Sequence, residues 1–134
     1  MAQLQNLVLT DRATPTPVNH TYVPSTIDPS TGAAYVKETT GVPIGEPNYS
    51  VRVTRPGGRY RINLRLVVPI VQTETINGIN TPKIVRSAFV DAQFTFAGTS
   101  TEQERKDVVG LFQSSLDSGK TLVNDALVNL NPVY

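Results

Sequence analysis

The stretch YRINLRLVV, residues 60–68, decides the fold class because apolar and polar side chains alternate along it. A second stretch, KIVRSAFVDAQFTF at residues 83–96, alternates in the same way. Successive side chains of a β-strand point to opposite faces, so each stretch predicts a strand with one apolar and one polar face. An apolar face covers a core, and the polar face is the first place to search for a functional surface.

Composition limits the classes of protein that the chain can belong to. With 134 residues and 39% hydrophobic content, we expect a single domain, 1–134, with a modest core. The net charge of +1 means that any nucleic-acid contact must come from local placement of arginines. The absence of cysteine excludes disulfides and thiolate chemistry. Because neither a secretion signal nor a run of about 20 apolar residues is present, we expect a soluble protein.

The N-terminal part predicts a hairpin, residues 1–24, that is peripheral to the main sheet. Thr14–Pro24 contains several prolines, and proline removes a donor from a strand ladder, so this segment is predicted to form an edge strand at best. The turn residues of Asp28–Gly32 precede a short predicted strand, Ala33–Glu38. Gly41–Pro47, with its prolines and glycines, predicts a connection with at most brief pairing.

The main sheet is predicted over residues 33–96 as a meander of antiparallel strands. Tyr49–Arg55 alternates cleanly, and Pro56–Gly58 provides a tight return into the next strand. This return places Arg52 on the polar face of the following strand. Gln72–Pro82 is polar and contains Asn-Gly, which predicts a longer exposed loop. Every connection is too short for a helical crossover.

Residues 100–131 predict two helices. Apolar residues recur at helical spacing in two runs: Val108, Val109, Phe112 and Leu116, then Leu122, Val123, Ala126, Leu127 and Leu130. Either Ser100 or Thr101 is a suitable N-cap, with Gln103 or Glu104 completing a capping box three residues later. Gly119 is the expected end of the first helix, and Pro132 of the second. Strands first and helices last define an α+β protein.

The apolar faces predict an interface. Two short helices would leave part of the apolar sheet face uncovered, and contiguous exposed apolar surface usually marks a contact with another chain. We therefore expect a dimer in which each subunit's helices reach the other's sheet. A monomer whose own helices fold back across its sheet is the alternative.

Several blocks of the sequence resemble one family. The segments IVRSAFVDAQFTF (84–96), STEQER (100–105) and LNPVY (130–134) are similar to the coat proteins of single-stranded RNA bacteriophages, the levivirus family, and most of all to the Q-beta type. Residues 49–69 and the turn at 28–32 fit the same pattern. The resemblance covers most of the chain.

This resemblance implies a fold and a function. The fold would be an N-terminal hairpin, a five-stranded antiparallel sheet and two C-terminal helices, interlocked in a homodimer. Dimers would assemble into an icosahedral, T=3 shell that packages genomic RNA. The inner sheet face would bind an RNA stem-loop at the start of the replicase gene, so the protein would also repress translation. It would be made in the bacterial cytoplasm and reside in the virion, with no cofactor, metal, membrane or small-molecule substrate.

The resemblance also suggests roles for individual residues. Arg61 matches a basic residue that contacts RNA, Phe89 replaces an aromatic residue, usually tyrosine, on which a base stacks, and Asp91 matches a polar residue that helps to read the RNA. The complete predicted RNA-binding set is Arg52, Arg59, Arg61, Asn63, Arg65, Ser87, Phe89 and Asp91. The alternative is an ordinary solvated sheet surface in which an exposed aromatic packs on an arginine stem.

Other functions fit the sequence less well. His20 is the one histidine, and Pro56–Gly58 lacks the lysine and helix of a phosphate-binding loop, so an enzyme is not expected. A cellular RNA-binding regulator with a sheet platform and no shell is the main alternative, although such modules usually interleave helices with strands. A pilus or adhesin subunit would be expected to carry a secretion signal.

Overall fold

The computed structural model describes residues 3–39 and 43–134. Its strands, in chain order, are β1 (Leu7–Thr10), β2 (Asn19–Ile27), β3 (Ala34–Lys37), β4 (Asn48–Thr54), β5 (Arg59–Ile76) and β6 (Ile79–Ala97). The α-helices are α1 (Glu102–Ser115) and α2 (Thr121–Leu127), and short 3₁₀ turns occupy Pro43–Gly45 and Pro56–Gly58. The predicted order of strands followed by helices is confirmed. Part of the predicted connection Gly41–Pro47 lies outside the described residues.

The chain divides into two compact units, which are described separately. The first unit extends to Thr95 and contains nearly all of the sheet. The second unit, Phe96–Tyr134, contains both helices.

The strands form an antiparallel sheet in the order β1-β2-β3-β4-β5-β6, so the predicted meander is confirmed. In the described part of the chain the sheet has six strands, whereas the family resemblance implied a separate hairpin and a five-stranded sheet. β4 and β5 pair through seven residue pairs, from Asn48 opposite Val67 to Thr54 opposite Arg61. This register fixes which side chains share a face.

The N-terminal hairpin continues the sheet at one end, with β1 as the terminal strand. β2 pairs with β1 through residues 19–22 and with β3 through residues 23–27, so each half of β2 pairs on one side. Pro24 lies within the paired segment, opposite Val36, and the register shifts immediately after it, between Pro24 and Thr26. Pro24 therefore lies in a part of β2 that pairs on one side only, as the prediction of an edge strand from the prolines requires.

The prediction of a long exposed loop over Gln72–Pro82 is wrong. β5 continues to Ile76 and β6 begins at Ile79, so the connection is the two-residue turn Asn77-Gly78. Both turn residues have positive φ, 53° and 78°, as the tight hairpin turn favoured by Asn-Gly requires. Beyond the turn, the Thr75 hydroxyl donates to Asn80 Oδ1 at 2.7 Å. Ladder pairing satisfies the backbone of this polar segment, so apolar alternation was not needed to form strands.

The apolar face of the sheet is only partly covered within the first unit. On this face Tyr49 lies opposite Leu66, Val51 opposite Leu64, and Val53 opposite Ile62. Among the described residues, the buried apolar ones are Tyr22, Ala33 and Val36, each about 6% exposed. Val53 remains 57% exposed. The first unit therefore presents apolar surface to its surroundings.

The first helix begins as predicted and the second ends early. Thr101 is the N-cap: its hydroxyl accepts from the Glu104 N–H at 3.2 Å, and the Glu104 carboxylate accepts from the Thr101 N–H at 3.4 Å. α2 ends at Leu127, before the predicted end at Pro132. Leu130 has a φ of 58°, which is not helical, so its predicted place on the helix stripe was wrong. The chain turns there, and the Asn131 N–H donates to the Asp125 carbonyl at 3.1 Å.

Candidate nucleic-acid interface

Strand pairing gathers the predicted polar residues on one side of the sheet. Arg52 lies directly opposite Asn63, and Arg65 lies opposite Ser50. Opposed residues of an antiparallel pair share a face, so the prediction that Arg52 joins Arg61, Asn63 and Arg65 is confirmed. We call this side of the sheet the polar face.

A shallow depression of about 440 Å³ lies on the polar face. It is lined by side chains from four strands and the β2–β3 turn: Asp28, Thr31, Ala33, Tyr35, Asn48, Ser50, Arg52, Asn63, Arg65, Val67 and Asp91. The structure thus brings together Arg52, Asn63, Arg65 and Asp91 from the predicted set. Donors and acceptors meet in one place, which suits a ligand with both anionic and hydrogen-bonding groups.

Asn63 has an unsatisfied hydrogen-bonding atom at this site. Its Oδ1 is buried and has no hydrogen-bond donor among the described residues. A buried acceptor without a partner costs free energy, so such groups are usually satisfied by water or by a ligand. An amino or imino N–H of a ligand in the depression would supply the missing donor.

The remaining predicted residues lie outside the depression. Arg59 and Arg61 lie at the start of β5, where the Thr54 hydroxyl donates to the Arg61 carbonyl at 3.4 Å. Phe89, on β6, is 65% exposed. Alternation along β6 places Ser87 and Phe89 on the same face as Asp91. An exposed phenylalanine beside a polar depression offers a flat apolar surface to a planar group.

The sequence did not reveal that the Asp28–Gly32 turn lines this depression. The Asp28 Oδ1 accepts from the Ser30 N–H at 2.9 Å and from the Ser30 hydroxyl at 2.7 Å. These hydrogen bonds stabilise the anion and hold the pKa of Asp28 below its ordinary 3.8. Turn composition predicted the turn, but its place beside Arg52 depends on strand pairing. No local signal in the sequence contains that information.

The side chains of the depression fall into hydrogen-bond donors and hydrogen-bond acceptors, which suit different parts of a ligand. Arg52 and Arg65 can only donate hydrogen bonds and suit phosphate oxygens. Asp28, Asp91 and Asn63 Oδ1 supply acceptors, which suit the amino groups of nucleobases. In the described part of the chain, no cluster of three or more His, Asp or Glu side chains could hold a metal ion.

Comparisons with known proteins agree with this fold. The model of the levivirus coat protein family matches residues 2–134. The capsid protein of Pseudomonas phage PRR1 is 46% identical over 134 residues, spanning 99% of this chain and 100% of that protein. The capsid protein of Qbeta virus strain MX1 is 32% identical over 136 residues, spanning 100% of each. Among solved structures, the virus-like particle of bacteriophage NT-214 has a TM-score of 0.84 at 27% identity, covering 99% of this chain and 100% of that chain.

The fold and these relatives define a viral coat protein. The chain belongs to the levivirus coat protein family, and it is a component of the phage virion. The resemblance recognised in the sequence is confirmed, and the identity to the PRR1 protein exceeds that to the Qbeta protein. None of the helices in the described residues is long and apolar enough to cross a membrane.

Proposed function

We propose that this coat protein forms a homodimer, that the dimers assemble into an icosahedral T=3 shell around the single-stranded RNA genome, and that the polar face binds an RNA stem-loop. Binding of the stem-loop at the start of the replicase gene represses translation of the replicase. Residues 1–134 then function as one coat-protein domain. The polar depression carries the RNA part of this proposal, because it combines two arginines with an unsatisfied acceptor on one sheet face.

Apolar exposure supports the dimer. Val53 on the sheet is 57% exposed, and in the second unit Leu111 and Leu122 are 73% and 67% exposed. Burying apolar surface stabilises an assembly by about 25 cal/mol per Å². A second copy of the chain that covered these side chains would therefore stabilise a dimer. The sheet also ends at β6, a strand of 19 residues, and a long edge strand is a template for pairing with another chain.

Relatives support assembly into a shell. The proteins of PRR1 and Qbeta virus are named capsid proteins, and the NT-214 structure is that of a virus-like particle. Size-exclusion chromatography and negative-stain microscopy of the purified protein test this part. We expect large particles that contain RNA. A dimer that binds RNA and forms no particle would instead indicate a sheet-platform regulator without a shell.

The replacement Asn63→Leu tests RNA binding at the depression. It removes the unsatisfied acceptor at similar volume, so the unfolding temperature should not fall, whereas affinity should fall for an RNA fragment spanning the start of the phage replicase gene. Filter binding at moderate salt measures this affinity. The control Lys106→Ala removes a charge from an exposed site on α1, where Lys106 pairs with Glu102 at 3.3 Å, and should bind as the unmodified protein does. Equal affinity for Asn63→Leu and the unmodified protein would refute an RNA contact at this site.

A further inference from the structure

His20 makes two short contacts that the sequence did not predict. Its Nε2 lies 2.6 Å from Asp11 Oδ2, and its Nδ1 lies 2.7 Å from Glu38 Oε2. Asp11 follows β1, His20 lies on β2, and Glu38 follows β3. One imidazole ring thus joins three successive segments of the sheet. The group lies outside the polar depression and has no role in the proposed RNA contact.

The geometry requires a particular protonation state. A carboxylate can only accept hydrogen bonds, and a neutral imidazole has a single N–H to donate. Both contacts are therefore hydrogen bonds only when His20 is an imidazolium, with an N–H on each ring nitrogen. Loss of one proton leaves one of the two carboxylates facing a lone pair.

We propose that Asp11, His20 and Glu38 form a proton-controlled clasp that ties the β1–β2 hairpin to the end of β3, tightly in mildly acidic solution and loosely in alkaline solution.

Each end of the clasp is anchored to the backbone. Asp11 Oδ1 accepts from the N–H groups of Ala13 and Val18 at 2.9 and 2.8 Å, which organises the β1–β2 connection. The Glu38 N–H donates to the Pro47 carbonyl at 3.0 Å, which fixes the chain at the entry to β4. Loss of the proton from His20 therefore affects two connections, the one between β1 and β2 and the one that leads from β3 to β4. Each is also held by the backbone hydrogen bonds just described.

The direction of the pH effect follows from the shifted groups. The hydrogen bond to Asp11 is the largest cause that raises the pKa of His20 above 6.5, with Glu38 adding to it, although burial opposes the shift. Stabilisation by His20 is therefore complete below pH 6.5 and is lost as pH rises through the raised pKa. Backbone donation from Val18, followed by the hydrogen bond with His20, lowers the pKa of Asp11 from 3.8 to about 2. Its contribution is present above pH 3.8 and is lost as pH falls towards about 2. The clasp is thus strongest between pH 3.8 and pH 6.5.

Other charged and titratable groups surround the clasp. Arg12 is exposed and follows Asp11 in the β1–β2 connection. Tyr22, next but one to His20 on β2, has its pKa raised by burial and, secondarily, by the charge of Glu38. Lys37 precedes Glu38 and pairs with Glu46 at 3.8 Å. The charged and titratable groups nearest to His20 are therefore Asp11, Arg12, Tyr22, Lys37 and Glu38.

Hydrogen exchange measured by mass spectrometry on the purified full-length protein tests the clasp. Protection factors, corrected for the intrinsic effect of pH, are compared at about pH 5.5 and about pH 8.5, on either side of the ordinary histidine pKa. We expect peptides covering β1 and β2 to lose protection at the higher pH. Peptides covering β4 and residues 61–67 of β5, which pair with β4, should keep their protection. Equal protection of the β1 and β2 peptides at both pH values would overturn the proposal.

Two variants and a control sharpen the test. His20→Gln cannot carry a proton, so the pH response of the β1 and β2 peptides should disappear. Glu38→Gln removes one carboxylate and should shift the midpoint of the response to lower pH, and it remains informative if His20→Gln fails to fold. The control Glu74→Gln removes a carboxylate from β5 and should retain the full response. A response that persists unchanged in both His20→Gln and Glu38→Gln would assign it to another group.

Discussion

Asn63 and Arg65 lie two residues apart on β5 but offer a ligand different chemistry. Arg65 is an exposed, permanent cation that can reach phosphate from many directions. Asn63 presents a buried acceptor that only a correctly placed donor can reach. Phosphate contacts contribute affinity without discrimination, whereas contacts with base edges discriminate. In the proposed RNA contact, Arg65 would therefore contribute strength and Asn63 would contribute selectivity.

The salt dependence of RNA binding should report the arginine contacts. Arg65→Ala should weaken binding and reduce the slope of log affinity against log salt by about 0.7 to 0.9, the value for one lost phosphate contact. Filter binding over a range of salt concentrations measures the slope. Lys106→Ala removes the same charge from the second unit and should leave the slope unchanged. An unaltered slope in Arg65→Ala would exclude a phosphate contact at this residue.

Phe89 should contribute by stacking rather than by hydrogen bonding. Phe89→Ala should weaken RNA binding by about 1 to 3 kcal/mol, the range for loss of one base stacked on an aromatic ring. Phe89→Tyr retains the ring and should bind at least as well as the unmodified protein. Because Phe89 is 65% exposed, neither change should lower the unfolding temperature much. Wild-type affinity in Phe89→Ala would place the stacked base elsewhere.

The β5–β6 hairpin contributes to the polar depression from both of its strands. Asn63 and Arg65 of β5 line the depression together with Asp91 of β6. At the other end of the hairpin, the Thr75 hydroxyl donates to Asn80 Oδ1 beside the two-residue turn.

The tip of this hairpin should depend on Gly78. Its φ of 78° is strained for any residue with a side chain, so Gly78→Val should cost roughly 1 to 3 kcal/mol. Asparagine tolerates the left-handed region better, so Gly78→Asn is the matched control. Thermal unfolding followed by circular dichroism measures the difference. Equal unfolding temperatures for the two variants would mean that the turn does not retain this conformation.

The start of α1 should depend on the Thr101 side chain. Thr101→Ala removes the bond to the Glu104 N–H and should cost about 1 kcal/mol of stability. Thr101→Ser retains the hydroxyl and should be nearly neutral. Denaturant unfolding provides the comparison. A loss of equal size in both variants would show that the methyl group of Thr101, rather than its cap, is responsible.

At the scale of the whole molecule, many large apolar side chains of the single chain remain exposed to solvent. They occur in both compact units: Val51, Val53, Tyr60, Val108, Val109, Leu111, Phe112, Leu122, Leu127 and Val128. A single chain with this much apolar surface would be prone to associate. In a coat protein, association with further copies of the chain removes such apolar surface from solvent.

The assembled protein should not respond to reducing agent. The chain contains no cysteine, so no disulfide can link one subunit to another. We expect the same melting temperature for particles with and without dithiothreitol, measured by differential scanning fluorimetry. A clear decrease with dithiothreitol would contradict this.

Patterns that extend over only a few neighbouring residues were sufficient to predict several strands and the start of one helix from the sequence. Side-chain alternation predicted β4, residues 60–68 of β5 and residues 83–96 of β6, and the capping box predicted the start of α1. Only the tertiary structure decided that residues 72–76 and 79–82 belong to strands and that Asp28 joins the polar depression. It also supplied the two carboxylate partners of His20. Alternation and capping depend on neighbours along the chain, whereas register and hydrogen-bond partners depend on residues that folding brings together from distant positions.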